Sequence, residues 1–265
     1  MRLLTIYLAF MGYPLGVVLS GGSVRGSAHV GFLKRMNELG FKPDIISGSS
    51  AGAMVGAFCA AGKTIDEMMD FFRNTSLFRY NSINPLTPGI FDTAKYESIF
   101  QNFLPPTFEE LQIPLIIATT NIEKGDAEYF SSGDLYKPLL ASCAIPFVFA
   151  PIEMNGYLHV DGGVLDNFPV EQLVGKCDKI IGSFLGSPGA VDRKSVSSKI
   201  KITSRANELL MYAASRLKFP LTDCTIEHPL MEFGYFDQKK MDDIYQVGYE
   251  FCLKEMKADI LEPAS

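Results

Sequence analysis

Residues 44–61 read Asp44-Ile45-Ile46-Ser47-Gly48-Ser49-Ser50-Ala51-Gly52-Ala53-Met54-Val55-Gly56-Ala57-Phe58-Cys59-Ala60-Ala61. Asp44 to Ser47 is a short apolar run and predicts a strand. Ser50 to Ala61 is rich in small residues and predicts a helix. The junction, Gly48-Ser49-Ser50-Ala51-Gly52, is G-x-S-x-G. That pattern places a serine on a sharp strand-to-helix turn with its Oγ exposed at the strand's C-terminal end. Glycines are needed on both sides because a Cβ there would meet neighbouring backbone. By composition alone such a pentapeptide occurs on the order of once in ten chains of this length. A structural reading also exists, a glycine-rich turn with Ser50 as helix N-cap. The strand before and the small-residue helix after favour the chemical one.

Upstream, Leu15 to Leu19 predicts a buried strand that ends in Ser20-Gly21-Gly22. Val24 to Leu39 predicts a helix, with Val24, Ala28, Phe32 and Met36 at helical spacing and Gly40 as its stop. Strand, helix, strand, helix in this rhythm implies parallel strands with right-handed crossovers. Ser20-Gly21-Gly22-Ser23-Val24-Arg25-Gly26 joins the first strand to the first helix. Successive backbone amides at a helix N-terminus make an anion site, and Arg25 adds positive charge. A nucleotide-binding G-x-G-x-x-G needs glycine where Ser23 stands, and a P-loop needs lysine where Ser27 stands. An oxyanion hole for acyl transfer needs such an anion site; a purely structural turn is the alternative, but it does not explain Arg25.

Downstream, Thr64-Ile65-Asp66-Glu67 is a capping box that opens another helix. Leu115 to Thr119 predicts a strand, Pro138 to Ala144 a helix, Tyr157 to Val160 and Lys179 to Phe184 strands, and Met241 to Met256 a closing helix. Tyr96 to Phe103 predicts a short helix, and Gly186 to Ser198 a mobile loop. Asp161-Gly162-Gly163 falls at a strand end. A serine nucleophile needs a base, and the chain has only three histidines. His29 lies beside the apolar stripe of the first helix and is expected in the core. His159 shares a strand face with Asp161. His228 is expected at the surface, although an α/β-hydrolase order of serine, acid, histidine would use it. No histidine has a supporting context, so Asp161 alone is read as the base, against the alternative of a turn aspartate bonded to its own backbone.

These three blocks, in this order, resemble those of patatin-like phospholipases. Ala141-Ser142-Cys143-Ala144-Ile145-Pro146 and Asp166-Asn167-Phe168-Pro169 resemble the family's intervening text, and the likeness covers roughly Leu15 to Phe184. The resemblance implies an α/β three-layer fold with a mainly parallel central sheet and helices on both faces. It implies a Ser–Asp dyad in which Ser50 is the nucleophile and Asp161 the base. Gly21, Gly22, Ser23 and Arg25 match the oxyanion hole, and Gly48, Gly52, Gly162 and Gly163 the motif glycines. The family usually has a third glycine at position 23. Ser23 still offers its amide, and the loop is expected to tolerate it. The implied activity is hydrolysis of lipid acyl esters through an acyl-enzyme, in phospholipids or lysophospholipids, with no metal or other cofactor. The alternatives are a lipid acyltransferase using the same dyad and a non-catalytic lipid-binding member of the fold.

The chain has 265 residues, 47% hydrophobic, with a net charge of −6. That length suits a single domain over residues 13–265, with residues 1–12 as an extension. Met11 is an alternative start, and the apolar run before it leaves secretion open. No basic block stands out, so nucleic acid is not expected as a partner. A lipid or other acyl ester is, with transient contact to a membrane surface. The five cysteines have no C-x-x-C pair, which points away from a disulfide framework or zinc site and toward a cytoplasmic or membrane-peripheral location. Met68, Met69, Phe71, Phe72, Leu77, Phe78, Tyr80 and Phe91 form a candidate acyl-chain wall, with ordinary core as the competing reading.

Overall fold

The computed structural model describes residues 12–74, 98–146, 148–235 and 237–261. Its strands are β1 (Tyr13–Leu19), β2 (Ile45–Ser49), β3 (Leu115–Asn121), β4 (Asp126–Phe130), β5 (Ile152–Met154), β6 (Tyr157–Asp161), β7 (Cys177–Phe184) and β8 (Cys224–Glu227). They form one sheet connected β5-β6-β3-β2-β1-β7-β8, with β4 also paired to β3. The pairs from β3 through β2, β1 and β7 to β8 are parallel. β4 and β6 run antiparallel to β3. The α-helices are α1 (Ser27–Glu38), α2 (Ala51–Ala60), α3 (Ile65–Asn74), α4 (Tyr136–Ser142), α5 (Lys199–Arg216) and α6 (Met241–Glu255).

Side-chain alternation in the central strands splits the core in two. Val17 and Leu19 of β1, Ile46 of β2, and Leu115 and Ile117 of β3 enter the larger core. Val18, Ile45 and Ile116, the intervening residues, enter the smaller one. A strand's period of two makes this inevitable when both faces are covered. The larger core packs against α1, α2, α3 and α6. The smaller is capped by Phe168, Val170 and Leu173, with Tyr212 from the end of α5 and Phe219 beyond it. The second helical layer is therefore thin and built mostly of short turns.

The helix predicted from Val24 begins instead as a 3-10 turn, Ser23–Gly26, and turns α-helical only at Ser27. Gly40 stops it with φ of 80°. The capping box at α3 forms in full, Thr64 Oγ1 accepting the Glu67 amide and Glu67 accepting the Thr64 amide. Of the Tyr96–Phe103 helix, residues 98–100 are helical. The predicted 186–198 loop contains a 3-10 turn, Arg193–Val196, capped by Asp192. Met68, Met69, Phe71 and Phe72 are buried in the larger core, so ordinary packing accounts for them. Leu77, Phe78, Tyr80 and Phe91 lie outside the described residues, as do residues 1–11 of the extension. β4, β5, β8 and α5 had no counterpart in the sequence reading.

Candidate active site

β3 explains how residues 111 positions apart meet. One edge of β3 carries β4, with Ile117 opposite Phe130 and Thr119 opposite Glu128. The other edge carries two strands end to end. β2 pairs up to Ser49 opposite Ala118, and β6, running the other way, ends with Asp161 opposite Thr119. The C-terminal end of β2 thus abuts the C-terminal end of β6, and Ser50 leaves the sheet where Asp161 does. Ser50 Oγ donates to Asp161 Oδ2 at 2.7 Å.

The turn at Ser50 is held from several sides. Ser50 has φ 51° and ψ −120°, and its side chain makes no cap bond to α2. A non-glycine residue there stores roughly 1–3 kcal/mol of strain. A Cβ on Gly48 would lie 2.7 Å from the backbone of Gly52 and Ala53, and one on Gly52 would lie 2.1 Å from the Leu19 carbonyl. Both glycines are therefore sterically required. The Ser50 amide donates to Ser142 Oγ, which donates to the Ala118 carbonyl. Ala118 is the residue at the β2–β6 junction, so Ser142 seals the gap between the two strands. Ser142→Ala should leave a buried amide and a buried carbonyl unpaired and cost about 1–3 kcal/mol. Urea denaturation measures that loss directly.

Asp161 is buried, and its other oxygen, Oδ1, accepts the Gly163 amide at 2.7 Å. The turn-aspartate geometry and the contact to Ser50 thus coexist on one carboxylate. Burial raises the Asp161 pKa from 3.8 to about 7, against the opposing pull of the hydrogen bonds from Ser50 and Gly163.

The glycine-rich loop sits beside this pair. Its Gly21 amide donates to the Asn167 carbonyl, its Val24 amide to the Tyr235 carbonyl, and its Arg25 amide to the Gly22 carbonyl. Among the described residues the Gly22 and Ser23 amides have no acceptor. Ser23 has φ 53°, in the left-handed region, and its buried Oγ is unpartnered. Arg25 points elsewhere. Its guanidinium donates to the Phe233 carbonyl and to Glu208, and stacks over Tyr235. It anchors the loop to α5 and the 233–235 segment, with its charge balanced by Glu208.

A cavity of about 110 Å³ opens onto these groups, with Gly22, Ser23, Ser50, Asp161, Asn167 and Met211 among its walls. Asn167 Oδ1 is buried there without a partner among the described residues. α5 lends this wall Ser204, Asn207, Glu208 and Met211, which carry no motif in the sequence.

The histidines take no part in this arrangement. His29 is fully buried, as expected. His228, expected at the surface, is fully buried as well. Its Pro-flanked context suggested exposure, but the ring packs between Phe32, Phe251 and His29. The Ser20 carbonyl can only accept, so the proton of His29 sits on Nε2 and its Nδ1 accepts from Ser183 Oγ. Ser183 Oγ then accepts from His228 Nε2, and His228 Nδ1 is left as a bare, unpartnered lone pair. Burial lowers His29 to about 4 and His228 to about 3, so both are neutral. His159, also buried, meets Thr119 and sits 3.6 Å from Glu128. The five cysteines are free. Among the described residues no group of His, Cys, Asp and Glu has a metal-ligand arrangement.

A mixed, mostly parallel sheet flanked by helices holds a strand-to-helix serine against a buried carboxylate. The chain belongs to the patatin-like phospholipase family, whose model matches residues 17–174. It is 29% identical to the "Lysophospholipase nte1" of Aspergillus fumigatus over 94% of this chain and 19% of that protein. It is 27% identical to the "Lysophospholipase NTE1" of Kluyveromyces lactis over 91% of this chain and 19% of that protein. The chain therefore spans about a fifth of the length of these relatives. Among solved structures it resembles VipD from Legionella pneumophila, with a TM-score of 0.57 and 15% identity over 92% of this chain and 66% of that one. That likeness concerns the fold.

Proposed function

We propose that the protein hydrolyses acyl esters of phospholipids or lysophospholipids through an acyl-enzyme on Ser50, with Asp161 as base. The observation that carries this is the 2.7 Å bond from Ser50 Oγ to a desolvated Asp161 carboxylate in an open cavity. Asp161 Oδ2 takes the proton as Ser50 Oγ attacks the ester carbonyl. The Gly22 and Ser23 amides, which lack other acceptors among the described residues, hold the oxyanion. Asp161 returns the proton to the departing alcohol, then deprotonates the water that cleaves the acyl-enzyme. The names of the fungal relatives support the lysophospholipid class of substrate. Family membership supports the lipid ester.

A fluorophosphonate probe followed by peptide mass spectrometry tests the reading. Adduct on Ser50 is expected; an unlabelled protein, or label on another serine, would sink it.

Ser23 is where this chain leaves the family pattern. At its positive φ, glycine is free of the roughly 1–3 kcal/mol that serine carries. Ser23→Gly should therefore raise the melting temperature. It should change kcat/KM by less than about tenfold, equivalent to roughly 1.4 kcal/mol, because the amide stays in place. A hundredfold gain in kcat/KM would show instead that the natural serine misaligns the loop.

A further inference from the structure

α5 is unusual in that most of its aliphatic side chains among the described residues face away from the protein, although Met211 and Tyr212 face inward. Its inner face, Ser204, Asn207, Glu208 and Met211, lines the Ser50 cavity. Its outer face carries Ile202, 54% exposed, Leu209, 45%, and Leu210, 70%, and Leu217 just beyond the helix is 78% exposed. At 100° per residue these four fall within an arc of about 100°, together with Ala206 and Ala213. Exposed leucines scattered singly are ordinary, but a stripe aligned along one helix is not. Val164, 43% exposed, adds an apolar residue to the rim of the same cavity.

The charge around the stripe is one-sided. From Asp192 to Lys218 there are seven basic residues, Arg193, Lys194, Lys199, Lys201, Arg205, Arg216 and Lys218, against Asp192 and Glu208, in a chain whose net charge is −6. Arg205 and Lys218 are engaged by Glu208, Asp166 and Glu171. Arg193, Lys194, Lys199 and Arg216 have no carboxylate partner among the described residues. An exposed apolar stripe with cations beside it is the pattern of a helix that lies in the plane of an anionic lipid surface.

We infer that α5 is the docking surface of this protein for anionic phospholipid bilayers. The inference rests on the lipid-ester reading of Ser50. Such a helix sinks roughly 5–10 Å into the headgroup boundary, and a helix is about 10–12 Å across. Docking by the outer face therefore brings the cavity beneath the inner face to the level of the interface, where an acyl ester lies. The basic flanks supply the preference for anionic lipid, and the leucines supply the apolar burial.

The full chain is tested by co-sedimentation with large unilamellar vesicles, either equimolar phosphatidylglycerol and phosphatidylcholine or phosphatidylcholine alone. Wild type should bind the anionic vesicles more tightly. Leu210→Glu/Leu217→Glu should weaken that binding by about a hundredfold, while hydrolysis of soluble 4-nitrophenyl butyrate stays within about twofold of wild type, showing an intact fold. The chain has no tryptophan, so Leu210→Trp is a single reporter whose emission should shift to the blue on anionic vesicles. Equal binding by wild type and the double variant, or no binding by wild type, would overturn the proposal. So would a wild-type dimer that the double variant converts to monomer, since the stripe would then belong to a second copy. Vesicle binding without any esterase activity would leave docking standing and remove the Ser50 reading. Esterase activity without vesicle binding would do the reverse.

Discussion

Ser50→Ala should lower kcat for ester hydrolysis by about 10⁶-fold, the scale on which loss of a serine nucleophile acts in a cooperating site. The variant should remain folded, because the side chain caps nothing and its one hydrogen bond is to Asp161. Alanine still occupies the strained φ of 51°, so no backbone relief confuses the comparison. Ser49→Ala is the control. Ser49 is fully buried, and its Oγ, which lies beside Gly162, has no partner among the described residues. Its loss should leave most of the activity. Stopped-time assays on lysophosphatidylcholine and on a soluble ester measure both. Covalent probe labelling that persists in Ser50→Ala would assign the nucleophile elsewhere.

Asp161→Asn should lower kcat by about 10³–10⁴-fold, since it removes the proposed general base while keeping the shape of the site. The amide oxygen can still accept from Gly163, and the amide nitrogen can still meet Ser50 Oγ. As the proposed base, Asp161 must be ionised in wild type. With a pKa raised to about 7 by burial, kcat/KM should rise with pH and reach half its plateau near pH 7. The same shift has a stability consequence of opposite sign. Unfolded, Asp161 titrates near 3.8; folded, near 7. Between those values the folded state holds a proton that the unfolded chain has released. Stability from this group is therefore greatest below about pH 4 and is lost as pH rises through 7. Asp161→Asn should melt above wild type at pH 8, and that advantage should vanish by pH 4. A pH–rate profile with its inflection near 4, or a variant that melts below wild type at pH 8, would contradict a desolvated carboxylate.

His228 is the counterpart case. His228→Gln should cost stability, because it breaks the buried Ser183 relay, but should leave the ionisation seen in the pH–rate profile unchanged. If that variant alone moved the inflection, a histidine base would be the better mechanism.

Local chemistry was enough for the parts of this molecule written in contiguous residues. Gly48-Ser49-Ser50-Ala51-Gly52 carries its own strand, turn and helix, because the steric need at Gly48 and Gly52 arises within one turn and against the adjoining strand. The continuous apolar runs of β1, β2 and β3 likewise foretell a sheet covered on both faces. The Thr64–Glu67 capping box closes over three residues.

Other features depended on partners far away in the chain, and only the tertiary structure decided them. Which loop amides are free depends on carbonyls at Asn167 and Tyr235. Arg25, read from sequence as charge for an anion, is turned by Glu208 and Phe233 into a structural anchor. His228 is buried because α1 and α6 close over it, which nothing in its own neighbours encodes. The orientation of α5 is another such feature, since periodicity in a sequence reports a helix face without reporting which side the protein lies on. Above all, the meeting of Ser50 and Asp161 is a matter of register. β2 ends opposite Ala118 and β6 opposite Thr119, two consecutive residues of a strand that lies between them in sequence. Hydrogen bonds to a shared third strand set that alignment, and the pattern of residues within β2 or β6 alone contains no record of it.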